Sequence, residues 1–327
     1  MKRPRKALSL LVAVLASAAA PVHAEVPAWA FAVNPPGAQP AVDDGKPKRV
    51  PDSSLTFTQR EFTAIAVGPP DWHPDEHPPM PDIVGRSREP NVYACAYCHL
   101  PNGAGRPENA SLAGLSANYI KAQILAFRDG ERPGSEPRRA PQTNMIAIAK
   151  QMTAVEIEAA AAYFSALDFK SYVKVIEATV APRTVVAGWM LTKTPGASTE
   201  PIGNRIVELA EDAARFDRRD SRAPYVAYVP VGSIARGADL VSTGSAGHTL
   251  PCAACHGTDL NGLADVPRIA GRSPSYLFRQ LYDLRNANRR GAAAELMKPV
   301  VANLTDADMV AIAAYLASRT PLTVKTE

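Results

Sequence analysis

The stretch Cys252-Ala253-Ala254-Cys255-His256 decides the fold of this 327-residue chain, and Cys95-Ala96-Tyr97-Cys98-His99 repeats its pattern 157 residues earlier. In each run two thiols lie three residues apart, and a histidine follows the second thiol. Such a run is the attachment signature of a c-type haem, because both thiols can bond the porphyrin edge and the imidazole can bind the iron. All four cysteines of the chain lie in these runs. The sequence therefore predicts two covalently bound haem c groups.

The two runs belong to a longer internal repeat. The offset of 157 residues holds for more than thirty residues after the first run, up to Arg128. The first copy then carries five extra residues between Gly130 and Asn144, and the offset becomes 152. The aligned pairs include Tyr119 with Tyr276, Gln123 with Gln280, Arg128 with Arg285, and Met145 with Met297. The chain is therefore expected to contain a duplicated domain.

Helical periodicity accounts for most of both copies. Apolar residues recur at spacings of three, four and seven, which is the pattern of amphipathic helices. The predicted helices cover residues 119–127, 153–166, 233–243, 276–284 and 305–318. Thr305 is a suitable N-cap for the last of them, and Gly244 is a suitable C-terminal stop for the third. The fold class is therefore predicted to be mainly α.

The first 24 residues have the features of a secretory signal peptide. A basic start is followed by an apolar run over 7–20 and a small-x-small cleavage site ending at Ala24. The apolar run is short for a membrane-spanning helix. Cleavage removes four basic residues, so 36 Lys and Arg become 32 against 32 Asp and Glu, and the net charge of +4 becomes zero. We therefore expect a periplasmic protein and no nucleic-acid binding.

Two segments differ in composition from the repeated copies. Thirteen prolines lie between residues 25 and 90, which disfavours long regular elements. A candidate first helix with apolar Phe57, Phe62 and Ile65 covers 53–67. Residues 172–176, 184–186 and 225–229 are rich in β-branched and aromatic side chains, which predicts short strands. The predicted organisation is a signal peptide (1–24), a Pro-rich arm (25–80), a first haem domain (81–168), a connector (169–232) and a second haem domain (233–327).

Each iron needs a second axial ligand besides His99 or His256. Histidine with methionine is the combination found in cytochromes c. Both copies place a methionine, Met145 or Met297, eight residues before the threonine that opens the next helix. These two methionines are the predicted sixth ligands. Met152 and Met309 align with Leu304 and Ile157 and are predicted to fill the cores, and His73 and His77 are kept as alternative ligands or solvated loop residues.

Other residues are expected to shape the two haem pockets. The carbonyl of Pro267, eleven residues after His256, can accept the second imidazole N–H, and Ala110 occupies that position in the first copy. Tyr119, Gln123, Tyr276 and Gln280 are candidates to line the pockets. The glycine pairs Ala113-Gly114 and Ala270-Gly271 would let backbone approach the porphyrin. Arg128 and Arg285 are candidates for propionate contacts or for a solvated helix face. A basic face of Arg268, Arg272, Arg279, Arg289 and Arg290 could dock an acidic partner or be solvated.

At these motifs the chain resembles the di-haem cytochromes c of the cytochrome c4 type. The resemblance covers roughly residues 81–168 and 233–327. It implies two tandem class I cytochrome c domains and single-electron transfer without catalytic residues. The implied partners are a dehydrogenase, a quinol-oxidising complex or a terminal oxidase. The chain could be the cytochrome subunit of a dehydrogenase, or could associate with a membrane complex at its periphery.

Two other functions remain open on the sequence. A di-haem cytochrome c peroxidase has a similar length and two widely spaced haem runs, but it needs one iron that opens to peroxide. The likeness of the two copies, each with its own methionine, argues against it. Structural zinc held by the C-x-x-C pairs is the other alternative. Zinc leaves the adjacent histidines and the matched methionines unexplained.

Overall fold

The chain folds into two helical units joined by a module of short strands. The computed structural model describes residues 25–37, 43–196 and 198–321. The predicted signal peptide lies outside the described residues. Because the two copies of the repeat form the two helical units, the mainly α class and the strand-containing connector predicted from the sequence are both confirmed.

The first helical unit (82–165) follows an N-terminal arm that contains one short helix and one 3₁₀ turn. The arm contains helix α1 (Gln59–Thr63) and, after it, the 3₁₀ turn Pro74–Glu76. The helices of the unit are α2 (Asp82–Gly85), α3 (Cys95–His99), α4 (Ala117–Arg128), α5 (Ala140–Gln151) and α6 (Ala154–Ser165). The hydroxyl of Ser116 caps α4, and Thr153 with Glu156 forms a capping box at the start of α6. Helix α5 was not predicted.

In the connecting module (173–229), the described residues, which exclude position 197, form seven short strands and one helix. They are β1 (Val173–Glu177), β2 (Val180–Pro182), β3 (Thr184–Ala187), β4 (Met190–Lys193), β5 (Thr199–Pro201), β6 (Val207–Ala210), α7 (Ala213–Asp217) and β7 (Tyr225–Val229). Strand β7 lies at the centre of a three-stranded sheet, parallel to β1 and antiparallel to β6. Two antiparallel pairs, β2 with β5 and β3 with β4, complete the module.

The second helical unit (233–318) contains α8 (Ser233–Thr243), α9 (Ala253–His256), α10 (Pro274–Arg285), α11 (Ala292–Glu295), α12 (Lys298–Val301) and α13 (Asp306–Ser318). Helix α8 ends at Gly244, as predicted, and α13 opens with Thr305 and Asp308 in a capping box. Helices α8 and α13 cross so closely that a Cβ on Gly237 would lie 2.0 Å from the Ala311 carbonyl oxygen. The aligned helix of the first unit, α2, has only four residues.

Each helical unit has its own apolar core, and the N-terminal arm contacts both units. Trp29 and Phe31 pack against Phe278 and Tyr282 of the second unit, with ring centroids 4.5 Å and 5.3 Å apart. The later part of the arm lies on the first unit, where the Tyr97 hydroxyl donates to the Thr63 carbonyl over 3.0 Å. The arm therefore links the two units, which its proline content did not reveal.

The candidate helix over 53–67 is reduced to the five residues of α1. Phe62 is buried in a small cluster with Val50 and Trp72, and Phe57 packs against that cluster. The capping box of Thr58 and Glu61 starts the helix, and the chain leaves the helical conformation at Ala64. The helix is therefore much shorter than predicted, and of the three apolar residues only Phe62 lies in it and is buried.

Candidate haem sites

The first haem run lines a large cavity, which we call the first cavity. Cys95, Cys98 and His99, all on α3, face this cavity together with Met145 of α5. The cavity contains about 1180 Å³ of space between its atoms, part of it open to solvent. The remaining walls are mostly apolar and include Leu112, Leu115, Ile120, Ile124, Phe127, Ile148 and Phe164. A large, mainly apolar space beside two thiols, an imidazole and a thioether suits a porphyrin.

Both motif histidines are held in the same way. The Nδ1 atom of His99 lies 2.7 Å from the Ala110 carbonyl oxygen, and that of His256 lies 2.8 Å from the Pro267 carbonyl oxygen. A carbonyl only accepts, so Nδ1 carries the proton and Nε2 keeps its lone pair. Burial lowers the pKa of both imidazoles and outweighs the opposing effect of these carbonyls, which favours the neutral form. Each ring is therefore in the tautomer that an iron ligand needs.

The cysteines of the two runs differ in exposure. Burial raises the pKa of the Cys95 thiol to about 12 and that of the Cys252 thiol to about 11. Cys98 is half-buried, whereas the aligned Cys255 is exposed. The first cysteine of each run therefore faces the interior, and the two copies differ at the second.

The methionines separate into two groups. Met145 and Met297 are half-buried and pack against the two apolar cores, on α5 and at the N-cap of α12 respectively. Met152 and Met309 are buried, with 5 % and 0 % of their surfaces exposed, as predicted for core residues. Met80 also packs against the first core. Among the methionines that the structure describes, only Met145 and Met297 thus combine partial exposure with positions matched between the copies.

The alternative histidine ligands bind other groups. His73 is buried and its Nε2 lies 3.0 Å from Asp220 Oδ1, while His77 contacts Asp71 and the Pro78 carbonyl. Neither residue lines the first cavity. The expectation that they are solvated is wrong, because each of the two side chains is only 4% exposed. His73 joins the arm to the connecting module.

The second helical unit supplies part of the wall of the first cavity. Tyr276, Arg279 and Gln280, on α10, line the cavity beside Tyr119 and Gln123 of α4. The four predicted pocket residues Tyr119, Gln123, Tyr276 and Gln280 therefore lie together at the interface between the units. Their position at one shared interface was not visible in either copy alone.

Two arginines join these residues in a reciprocal arrangement. Arg132 donates to the Gln123 Oε1 atom over 2.9 Å and to the Gln280 Oε1 atom over 2.8 Å. Arg289 donates to the same two oxygens and to the Tyr119 hydroxyl over 2.8 Å. Burial alone would raise the pKa of that phenol, but the guanidinium groups of Arg289 and Arg132 more than offset it. Positions 132 and 289 keep the offset of 157, so the repeat could have identified this pair.

The expected basic face is largely an interior feature. Arg268, Arg272 and Arg279 are at most 7 % exposed, and Arg289 is half-buried. Arg272 donates to the Ser111 carbonyl and Arg279 to the Pro107 carbonyl, so both contact the first unit. Of the five predicted arginines Arg290 alone is exposed, and it donates to the Gly130 carbonyl. The local sequence could not show that a second copy covers this surface.

The buried arginines leave N–H groups without protein partners. Arg139 Nε, Arg268 Nε and Arg272 Nη2 are buried and bind no acceptor among the described atoms. Burial lowers the pKa of Arg272 to about 10, which still leaves it protonated at neutral pH. A buried cation with a free donor is costly unless an anion pairs with it. Of the three arginines, Arg139 lines the first cavity, and the carboxylate of a haem propionate is an anion of the kind that its free N–H requires.

The aligned pair Arg128 and Arg285 has a different task. Arg128 donates to the carbonyls of Ala149 and Met152, and Arg285 donates to the Leu304 carbonyl and to Asp306. Neither arginine lines the first cavity. Each arginine holds the chain just before the last helix of its unit. The two expected roles, contact with a propionate and a solvated helix face, therefore do not describe them.

The glycine pairs also serve the fold. The amide of Gly114 donates to the Phe164 carbonyl, and that of Gly271 to the Leu316 carbonyl. Both glycines have positive φ, and a Cβ on Gly271 would lie 2.5 Å from Pro321 Cγ. Neither Gly114 nor Ala113 lines the first cavity. In both pairs the glycine backbone lies close to the end of the last helix of its own unit, and not to a haem pocket.

Zinc is not supported by the arrangement of potential ligands. Within residues 25–37, 43–196 and 198–321, no group of three or more His, Cys, Asp or Glu side chains could hold a metal ion together. All four cysteines lie in this part of the chain. Among the same residues, no helix is long and apolar enough to cross a membrane.

Comparison with known sequences agrees with the haem motifs. The sequence profile of the cytochrome c family matches residues 91–168 and 234–320, which is half of the chain. Cytochrome c-554(548) of Halomonas halodenitrificans is 39% identical over 89 residues, which are 27% of this chain and 98% of that protein. Cytochrome c4 of Pseudomonas aeruginosa is 39% identical over 69 residues, 21% of this chain and 33% of that protein.

A longer but weaker similarity covers more than two thirds of the chain. The protein named thiosulfate dehydrogenase electron acceptor of Thiomonas intermedia is 24% identical over 233 residues, 70% of this chain and 80% of that protein. The chain has two matches to the family profile, two haem runs and two apolar cores. It binds two covalently attached haem c groups and is an electron carrier rather than an enzyme. The chain therefore belongs to the cytochrome c family, as a di-haem class I cytochrome c that resembles cytochrome c4.

Proposed function

We propose that this chain is an exported carrier that takes single electrons from a dehydrogenase or a quinol-oxidising complex and passes them to a terminal acceptor. His99 and Met145 would hold the iron of the first haem, and His256 and Met297 would hold the iron of the second. The observation that carries the proposal is the matched support of the two imidazoles, 2.7 Å and 2.8 Å from their carbonyl acceptors. Equivalent support in both copies suits two irons with the same task.

The chain's own residues set the conditions for this transfer. The carbonyls of Ala110 and Pro267 orient the imidazoles, and Arg132 and Arg289 hold positive charge between the two units. A bound haem supplies the one-electron chemistry, and His/Met ligation gives it a raised reduction potential. Periplasmic location is supported by the signal-like sequence of residues 1–24.

A dehydrogenase that oxidises an inorganic sulfur compound is the first candidate donor. The similarity to a thiosulfate dehydrogenase electron acceptor extends over 70% of this chain and 80% of that protein. The direct test mixes ferric holoprotein with a purified thiosulfate dehydrogenase and thiosulfate. Reduction of both haems at rates that saturate with carrier concentration is expected. If both haems stay ferric, this donor class is excluded.

The axial methionines are tested by substitution. Met145→Ala and Met297→Ala should each convert one of the two haems to a high-spin form, as measured by absorption and electron paramagnetic resonance. Met152→Leu is the matched control because leucine occupies the aligned position 304. Unchanged spectra in either alanine variant would refute that ligand.

The peroxidase alternative is tested on the same preparation. A carrier whose axial positions are both occupied should show no turnover of hydrogen peroxide with a ferrous electron donor. Peroxide turnover, together with a high-spin haem in the unmodified protein, would contradict the carrier proposal.

A further inference from the structure

The two haem-attachment helices differ in what covers them. Tyr97, between the cysteines of α3, is only 5 % exposed, whereas the aligned Ala254 of α9 is exposed. The same contrast separates half-buried Cys98 from exposed Cys255. Since a thioether bond joins each of these sulfurs to the porphyrin edge, exposure of the sulfur reports how openly that edge can be approached.

The connecting module and the N-terminal arm both lie on α3. The guanidinium carbon of Arg219, in the loop after α7, lies 3.7 Å from the centre of the Tyr97 ring. The same guanidinium donates to the Tyr97 carbonyl over 2.8 Å. On the other side, the Tyr97 hydroxyl donates to the Thr63 carbonyl of the arm. Tyr97 is therefore fixed from two directions.

The cover extends beyond α3 into the following loop. Asn102 donates to the Ser221 carbonyl over 2.9 Å, and the Arg106 guanidinium lies 3.8 Å from the centre of the Phe216 ring. Arg106 is 7 % exposed. The position aligned with Arg106 in the second copy is Leu263, which is 64 % exposed. In each aligned pair the residue of the first copy is less exposed than that of the second. The first attachment site is therefore covered and the second is open.

We propose that outside partners exchange electrons with the second haem, and that the connecting module and the arm close the approach to the thioether edge of the first haem. The first haem then gains and loses electrons through the second, across the interface of Arg132, Arg289, Tyr119 and Gln280. In each exchange a one-electron donor protein is oxidised as one ferric iron becomes ferrous, and no bond is broken. This inference rests on the proposed function.

The first experiment blocks the open site and follows both haems. In Leu263→Cys holoprotein, the new thiol is coupled to a maleimide-linked polyethylene glycol. Anaerobic stopped-flow reduction by reduced flavodoxin should then slow at least tenfold over the whole absorbance change. The same label on Val155→Cys, at an exposed valine of the first unit, should leave the rate within twofold. If half of the absorbance change keeps the unlabelled rate, the first haem has its own approach and the proposal is wrong.

A second measurement does not depend on electron transfer. Addition of a neutral gadolinium chelate to the ferric holoprotein should broaden the haem-methyl NMR signals of the second haem and spare those of the first. Met145→His identifies the signals of the first haem. Arg219→Ala removes both contacts to Tyr97 and should extend the broadening to the first set, with circular dichroism unchanged. Equal broadening of both sets in the unmodified protein would overturn the inference.

The order of the measurements separates the two proposals. A pyridine haemochrome assay comes first. Fewer than two haems per chain would refute the proposed function. Two haems that are equally accessible would refute only the covered first site.

Discussion

The two residues that orient the imidazoles act through their backbone carbonyls, so their side chains can differ. Pro267 supports His256 through its carbonyl, and Ala110 does the same for His99 at nearly the same distance. Because the acceptor is a backbone atom, the change from proline to alanine does not alter the hydrogen bond. The first copy therefore keeps the geometry although its sequence departs from the second.

The reciprocal arginines are expected to raise the reduction potentials. A buried cation favours the ferrous state because that state carries one positive charge less than the ferric state. Arg132→Gln or Arg289→Gln should therefore lower at least one midpoint potential, by about 1 kcal/mol or roughly 40 mV for one electron. Spectroelectrochemical titration measures this shift.

Arg138→Gln is the matched control, because the Arg138 side chain is 75% exposed and pairs with Glu136. The midpoint potentials of the Arg138→Gln variant should equal those of the unmodified protein. Unchanged or raised potentials in both interface variants would show that these arginines do not act on the haems.

Sequence reasoning about single residues succeeded where the repeat gave a comparison. Met152 and Met309 were assigned to the cores because aliphatic residues occupy the aligned positions, and both are buried. The same reasoning failed for Arg272 and Arg279, which were expected on a surface. Their burial results from contact with the other unit, and periodicity within one helix carries no information about that contact.

At the scale of elements, the packing of α8 on α13 depends on one glycine. A Cβ at Gly237 would lie 2.0 Å from the Ala311 carbonyl oxygen and 2.7 Å from Tyr315 Cβ. Gly237→Ala should therefore force the helices apart and lower the free energy of unfolding by about 2–4 kcal/mol. Denaturant titration followed by circular dichroism measures the loss.

Gly232→Ala, at the N-cap of the same helix, separates packing from backbone conformation. No atom lies within 4 Å of a Cβ built at Gly232, but its φ is +86°. Gly232→Ala should therefore lower the free energy of unfolding by only about 1 kcal/mol. Equal losses in the two variants would mean that the close crossing of the helices contributes nothing.

The capping boxes of α13 and α6 are expected to differ in strength. Asp308 accepts from Thr305, Arg236 and His248, and its side chain is 1% exposed. Burial raises the pKa of this carboxyl, but the hydrogen bonds more than offset it and the net shift is downward. Asp308→Asn should lower the free energy of unfolding by about 2 kcal/mol at pH 7.

The pH dependence of that loss follows from the lowered pKa. An unfolded aspartate has a pKa of about 3.9, so the contribution of Asp308 is complete above about pH 5 and declines as the pH falls through the folded value. The difference between Asp308→Asn and the unmodified protein should therefore shrink below about pH 4. Glu156→Gln, in the more exposed box of α6, should cost less. A pH-independent difference would contradict the account.

Prediction of the elements was best where one segment carries its own signals. Helix α8 was predicted with its observed limits because an amphipathic pattern ends at a glycine in the left-handed conformation. Strands β1, β3 and β7 were indicated by β-branched residues. Strand β6 and helix α5 were missed. The sheet pairs β6 with β7 and β1 with β7, and such long-range pairing leaves no local pattern.

At the scale of the whole molecule, a module placed between two similar units makes them unequal. The loop after α7 and the arm cover the first haem-attachment helix, while the second helix keeps Ala254 and Cys255 exposed. The duplication was evident from the sequence, but the cover was not, because it depends on contacts between distant parts of the chain, such as that of Tyr97 with Arg219, 122 positions apart. The two haem domains thus differ in their surroundings more than in their motifs.

We infer that one chain carries two His/Met-ligated haems that exchange single electrons. The most direct test is a spectroelectrochemical titration of purified holoprotein with a known haem content. We expect two haems per chain and two one-electron transitions, both between low-spin states and both reversible. One haem per chain, or a transition from a high-spin ferric centre that binds peroxide, would contradict it.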